Sequence, residues 1–195
     1  MESVPSTTQN MGSPMTPDRA TAEAAARVLL RLAGGDVTNP DLTATPKRMG
    51  AALIEMTSGG TQDPAEILAT CFSQPYEDIV VLRGIEFTSV CEHHMLPFHG
   101  VAAVGYIPKG RVCGLSKLAR LVACFARRLQ IQERLTMQIV DALMENLTPR
   151  GAGVVVEATH HCMTGRGVQL PRATMQTSAF RGEMNTQEYR GMLLG

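Results

Sequence analysis

Gly153-Val-Val-Val-Glu-Ala-Thr-His-His-Cys162 is the stretch on which the fold turns. Three consecutive valines followed by a β-branched threonine read as a strand. Alternation predicts that Val154, Val156, Ala158, His160 and Cys162 share one face, with Val155, Glu157, Thr159 and His161 on the other. An apolar face that ends in a histidine and a cysteine predicts a sheet whose strand tip carries chemistry. Upstream, Leu135, Ile139, Leu143 and Leu147 recur every four residues, a helical stripe stopped by Thr148-Pro149. A helix with Ser116 as candidate N-cap precedes it, running to about Arg128. Downstream, Arg172 to Phe180 reads as a last strand, and 184–194 as a C-terminal amphipathic helix.

Further out, Ile79 to Leu82 and Ile85 to Val90 read as strand interrupted by Gly84. His99 to Ile107 reads as another, closed by Pro108-Lys109-Gly110. Helices start at Thr16-Pro17-Asp18, with Pro17 at the first helical position, and at Thr45-Pro46 and Asp63-Pro64. The first ends at Gly34-Gly35 and the second before Gly59-Gly60. The order predicts an α+β domain: an antiparallel four-stranded sheet with helices on one face, plus an N-terminal helical region. Residues 1–16 read as a disordered arm, 17–75 as the helical region, and 76–195 as the sheet domain.

Composition sets limits. The 195 residues suit about one domain, and 44% hydrophobic residues suit a core. Lys+Arg and Asp+Glu both total 18, which argues against general nucleic-acid binding and a basic membrane arm. Apolar runs such as 101–107 fall far short of the roughly 20 residues a spanning helix needs. The N-terminus has neither a basic nor an apolar signal region. A cytoplasmic protein is expected. Five cysteines at irregular spacing make a poor disulfide framework.

All five histidines fall in two short stretches, each holding a cysteine. Cys91 and His94 have C-x-x-H spacing, and Cys162 lies 68 residues beyond His94. If the strand tips converge, Cys91, His94 and Cys162 offer two thiolates and an imidazole, a donor set that suits Zn²⁺. Three ligands with His93 and His160 to spare favour a catalytic metal, which lowers the pKa of a bound water to about 7. Buried thiols beside surface imidazoles are the alternative.

Ser116, Lys117 and Arg120 open a helix, where cations oppose the macrodipole. A bound anion explains them, and so does a solvated helix start. Arg166 follows Cys162 closely, and Arg48 follows a helix start elsewhere. Glu133 fits either a helix N-terminus or the reading of a flat N–H-rich edge such as guanine. Cys71, Cys113 and Cys124 read as small buried hydrophobes.

Cys91-Glu-His-His94, Gly114-Leu-Ser-Lys-Leu-Ala-Arg120, Gln132-Glu-Arg-Leu-Thr136 and His160-His-Cys-Met-Thr-Gly-Arg-Gly167 occur in that order. The set resembles the GTP cyclohydrolase I family from about Thr45 onward. The resemblance implies conversion of GTP and water to 7,8-dihydroneopterin triphosphate and formate, in pterin or folate biosynthesis. It implies one Zn²⁺ per subunit on Cys91, His94 and Cys162, and catalytic roles for His93, His160 and Ser116. Glu133 with Gln132 would read guanine. Lys117, Arg120 and Arg166 would hold triphosphate or ribose, and Arg48 would reach a neighbouring subunit. The implied architecture is the tunnelling fold, closing into β-barrel pentamers that stack as a homodecamer. His99 and His161 fill positions where the family resemblance assigns no histidine. Competing readings are a sibling nitrile reductase of the same fold, an enzyme that stops after ring opening, and a structural zinc module.

Overall fold

The computed structural model describes residues 18–194, in two compact units that divide between Ile54 and Glu55. The expected arm, 1–16, and Pro17 lie outside the described residues. In the first unit, α1 (Arg19–Leu32) starts two residues later than expected, because Asp18 is its N-cap. The Asp18 carboxylate accepts hydrogen bonds from the Ala20 and Thr21 N–H groups, two of the donors a helix start leaves without partners. The division falls within α2 (Thr45–Met56). Residues 55–75, grouped with the N-terminal helices on sequence alone, belong to the second compact unit.

That unit opens with a 3₁₀ turn (Ser58–Thr61) and a short α3 (Pro64–Leu68) capped by Asp63. Strands β1 (Cys71–Ser73) and β4 (Arg111–Cys113) form a separate antiparallel ribbon with Cys71 opposite Cys113. The main sheet holds β2 (Val80–Cys91), β3 (Pro97–Ile107), β5 (Leu129–Gln130), β6 (Gly151–His160) and β7 (Met175–Gly182). Their order is β5-β2-β3-β6-β7. The four long strands are antiparallel, as expected. The sheet has a fifth, two-residue strand, because β5 pairs in parallel with the end of β2. Gly84, at φ +69°, sits where the β2–β3 register shifts, so the expected interruption at Gly84 is an irregularity within one continuous strand.

Helices α4 (Leu115–Ala126) and α5 (Gln132–Leu147) cover one face. The predicted stripe of α5 is inside: Leu135, Ile139, Leu143 and Leu147 pack with Leu118 and Leu121 against Val104, Tyr106, Val154 and Val156. Each such aliphatic contributes about 1.5–3 kcal/mol by leaving water. The expectation of helices on one face only is corrected by α7 (Gln187–Leu194). Val155, Phe180, Met184 and Leu193 form a second, smaller core on the opposite face. Gly105 and Gly153 are register partners there. A Cβ on Gly105 would lie 3.3 Å from the Met184 Cε and 3.1 Å from Leu193; one on Gly153 would lie 2.6 Å from the Phe180 ring. The two glycines therefore leave the trough in which Met184 sits.

Candidate metal and catalytic site

The sequence placed Cys91 and Cys162 on converging strand tips. The structure brings them together by another route. Strands β2 and β6 are not neighbours, since β3 lies between them. At about 4.8 Å per strand spacing, two strands apart is too far for a shared ion. Cys91 ends β2, and His94 sits in the turn joining β2 to β3. Cys162 is not on β6: the strand ends at His160, and Cys162 falls in the single-turn helix α6 (His161–Thr164). The alternation argument thus fails at Cys162, and a helical turn aims its thiol instead. One ligand atom each from Cys91, His94 and Cys162 lies within 4.8 Å of the others.

The donor set fits a tetrahedral metal. Cys91 Sγ and His94 Nδ1 are 3.7 Å apart. Bonds of about 2.3 Å to sulfur and 2.0 Å to nitrogen set the edges of a zinc tetrahedron at about 3.5–3.8 Å. Cys91 is buried, Cys162 half-buried and His94 exposed, so the cluster opens on one side. Burial pushes the Cys162 thiol up, and neighbouring Cys91 adds to this, while the Arg166 charge works the other way. The turn is tight: Cys91 N–H donates to Leu96 O at 2.8 Å, Met95 N–H donates to Cys91 O at 2.9 Å, and Met95 adopts φ +55°.

Beside the cluster, His160 lies flat on Phe98, with ring centroids 4.5 Å apart and planes 4° from parallel. The two residues are register partners on β6 and β3. His160 Nε2 is 2.8 Å from Gln132 Oε1. Burial lowers the His160 pKa, and the Glu133 charge opposes that shift. Gln132, expected as a substrate contact, lies in the interior. It is 0% exposed, and its Nε2 donates to Val156 O at 3.1 Å, Met175 O at 2.9 Å and Thr177 Oγ1 at 3.2 Å. Its amide is occupied by the sheet and by His160.

Glu133 is exposed on the first turn of α5, and His93 is exposed on the metal turn, its Nε2 3.8 Å from Glu92 Oε1. Arg166 is exposed a short way beyond α6. Ser116 is not the N-cap of α4; Gly114 is, without a side-chain cap, so Ser116 is the second helical residue. Lys117 and Arg120 follow in a helix start with no acidic residue in its first turn. They form no salt bridge with described residues. Arg48 lies on α2 in the other compact unit. A concavity of about 670 Å³ lined by Glu86, Thr88, His99 and Arg127 contains none of the metal donors.

Sequence reasoning missed Phe98 as the platform for His160, Gln132 as its tether, and the pairing of Glu92 with Arg134. In that pair the Arg134 guanidinium donates to the Glu92 carboxylate and holds its pKa below the usual range. The available signal was the presence of opposite charges inside two of the quoted motifs.

Three thiol and imidazole donors open on one side, beside a half-buried histidine of fixed orientation, define a candidate metal-dependent catalytic centre. The family model for GTP cyclohydrolase I matches residues 22–193. A GTP cyclohydrolase 1 of Mycolicibacterium gilvum is 50% identical over 173 residues, covering 88% of this chain and 86% of that protein. One of Thermobifida fusca is 52% identical over 167 residues, covering 85% and 81%. One of Wolinella succinogenes is 54% identical over 157 residues, covering 80% and 84%. The chain belongs to the GTP cyclohydrolase I family.

Proposed function

We propose that the chain converts GTP and water to 7,8-dihydroneopterin triphosphate and formate, in pterin and folate biosynthesis. The observation that carries this reading is the convergence of Cys91, His94 and Cys162 within 4.8 Å, in a chain of this family. Zinc held there would supply Lewis acidity that activates water at neutral pH.

The chain's own residues account for the rest. The Gln132 amide is fixed by the carbonyls to which it donates, so its Oε1 accepts from His160 Nε2–H. That leaves His160 Nδ1 as the nitrogen that takes up and delivers a proton. Burial favours neutral imidazole, and the Glu133 carboxylate favours imidazolium, so the ring is poised to change charge. Protonating guanine nitrogen 7 at that atom makes carbon 8 a better electrophile. Water adds at carbon 8, the imidazole ring opens, and hydrolysis releases formate. The ribose then rearranges and the ring closes as a dihydropterin. His93 and Ser116 are the proton carriers in these later steps.

Glu133 accepts from the N–H edge of guanine. Lys117, Arg120 and Arg166 hold the triphosphate, with Arg48 as a contact from another subunit. Binding energy at the triphosphate holds the base in place for reaction. A homo-oligomer closing a β-barrel, as pentamers stacked into a decamer, is part of this reading. In its support, among the described residues β2 80–89 and the whole of β7 pair on one side only, and bare edges invite strand pairing with another copy. The described cysteines are all free, which suits a reducing cytoplasm. No helix among the described residues is long and apolar enough to cross a membrane.

The test is incubation with GTP, with and without a chelator, reading formate and pterin fluorescence. The reading expects both products, and their loss with chelator. Ring-opened product without formate, or turnover that ignores the chelator, overturns it.

A further inference from the structure

Arg134 is the third residue of α5, a poor place for a cation by helix-dipole reasoning. Its surroundings explain it. Nε donates to Gln130 Oε1 at 3.1 Å, and Nη2 donates to Leu129 O at 3.0 Å and to the Glu92 carboxylate. Gln130 is itself fixed: it is 1% exposed, and its Nε2 donates to Phe125 O at 2.9 Å and Gln138 Oε1 at 2.8 Å. Glu92 N–H donates to Gln130 O at 3.0 Å. Both the backbone and the side chain of Glu92 are thus tied to the β5–α5 junction.

Glu92 stands between Cys91 and the histidines of the same turn. That turn includes Met95 in a left-handed conformation, which costs about 1 kcal/mol for a residue with a Cβ. The turn needs outside support, and the Glu92 tether supplies it. One carboxylate oxygen of Glu92 is held by Arg134, and the other lies 3.8 Å from His93 Nε2. Two residues earlier on the same helix, Gln132 holds His160. The first turn of α5 therefore reaches two histidine groups from opposite sides of β3.

We propose that Arg134 is a positioning residue which, through Glu92, fixes the 92–95 turn so that His93 and His94 keep their places relative to His160. The inference rests on the metal reading above for its consequence, but not for its test. An ordinary half-exposed ion pair contributes about 0–1 kcal/mol to stability and has no preferred target. A positioning pair acts on one segment.

The experiment compares the full chain with Arg134→Met, Glu92→Gln, the double variant and the milder Arg134→Lys. Amide hydrogen exchange is followed without metal, and zinc release to a chelator is followed with it. Exchange in segment 92–95 is expected to quicken on the order of tenfold in each single variant, with the sheet strands unchanged. Zinc release should quicken by a similar factor, the usual scale for residues that orient metal ligands. The double variant should match the singles, because both remove one link, and Arg134→Lys should fall between. Uniform acceleration of exchange across the chain, exchange at 92–95 within twofold of the parent, or multiplying effects in the double variant overturns the proposal. A chain that binds no zinc would sink the metal reading and leave the exchange result to decide this one.

Discussion

His160 Nε2 lies 2.8 Å from Gln132 Oε1, and the amide of Gln132 has no other way to face. A flipped amide would point its oxygen at two carbonyls. The histidine is therefore a hydrogen-bond donor at Nε2, fixed from behind by the sheet that carries it.

Gln132→Leu should break that tether while keeping the side chain's bulk. Val156 O, Met175 O and His160 Nε2 would lose a partner in a buried setting, at a cost of about 2–3 kcal/mol. Urea unfolding should show the loss of stability. Steady-state kinetics should show a fall in kcat for GTP larger than any rise in KM. An unchanged kcat in a folded variant would mean that the orientation of His160 does not matter to the reaction.

Cys162→Ala should empty the metal site without unfolding the sheet. Cys162 hangs on a helical turn beyond β6 rather than in the strand ladder. Metal analysis after gel filtration should give a small fraction of the parent's zinc, with circular dichroism preserved. Zinc retained at the parent's stoichiometry would remove Cys162 from the ligand set.

Cys113 should resist alkylation. Burial first, and then its neighbour Cys71, push its thiol up to about 12. A raised thiol pKa means the neutral form dominates, and at pH 8 only about one part in 10⁴ is thiolate. Iodoacetamide at pH 8 should leave Cys113 unlabelled in the native protein and label it after denaturation, as read by peptide mass. Rapid native labelling would contradict this environment.

Lys117→Ala and Arg120→Ala should weaken GTP and spare guanosine. Both cations stand at the start of α4 with no salt bridge to a described residue. Loss of a charge-assisted contact to phosphate costs about 1.5–3 kcal/mol, roughly 10- to 100-fold in Kd. Equal losses for the two ligands would remove the triphosphate assignment.

The long strands, α4, α5 and the Cys91–His94 turn were legible because each leaves a local mark. Valine runs mark β6, four-residue spacing marks α5, and C-x-x-H marks the turn. Three features left no such mark. Strands β1, β4 and β5 are two or three residues long and exist only through distant partners. Cys162 extends an alternating pattern by one more step, yet the chain has already turned helical there. Gln132 is polar at a helix start, which reads as surface. It is buried because β6 and β7 present carbonyls and a histidine that only the folded sheet brings together. Ser116 looked like a cap by type, but the cap is Gly114 and the helix begins two residues sooner than that reading requires, at Leu115.

Gly105 and Gly153 have a consequence for the end of the chain. They empty one trough from two strands, and Met184 plugs it. The tail is thus fastened by what the strands lack. A single methyl at Gly153 would meet the Phe180 ring at 2.6 Å and the Met184 Cε at 3.2 Å, so it would push both out of the trough. Oxidation of the Met184 sulfur would do the same from the other side, by making the plug too polar for its socket.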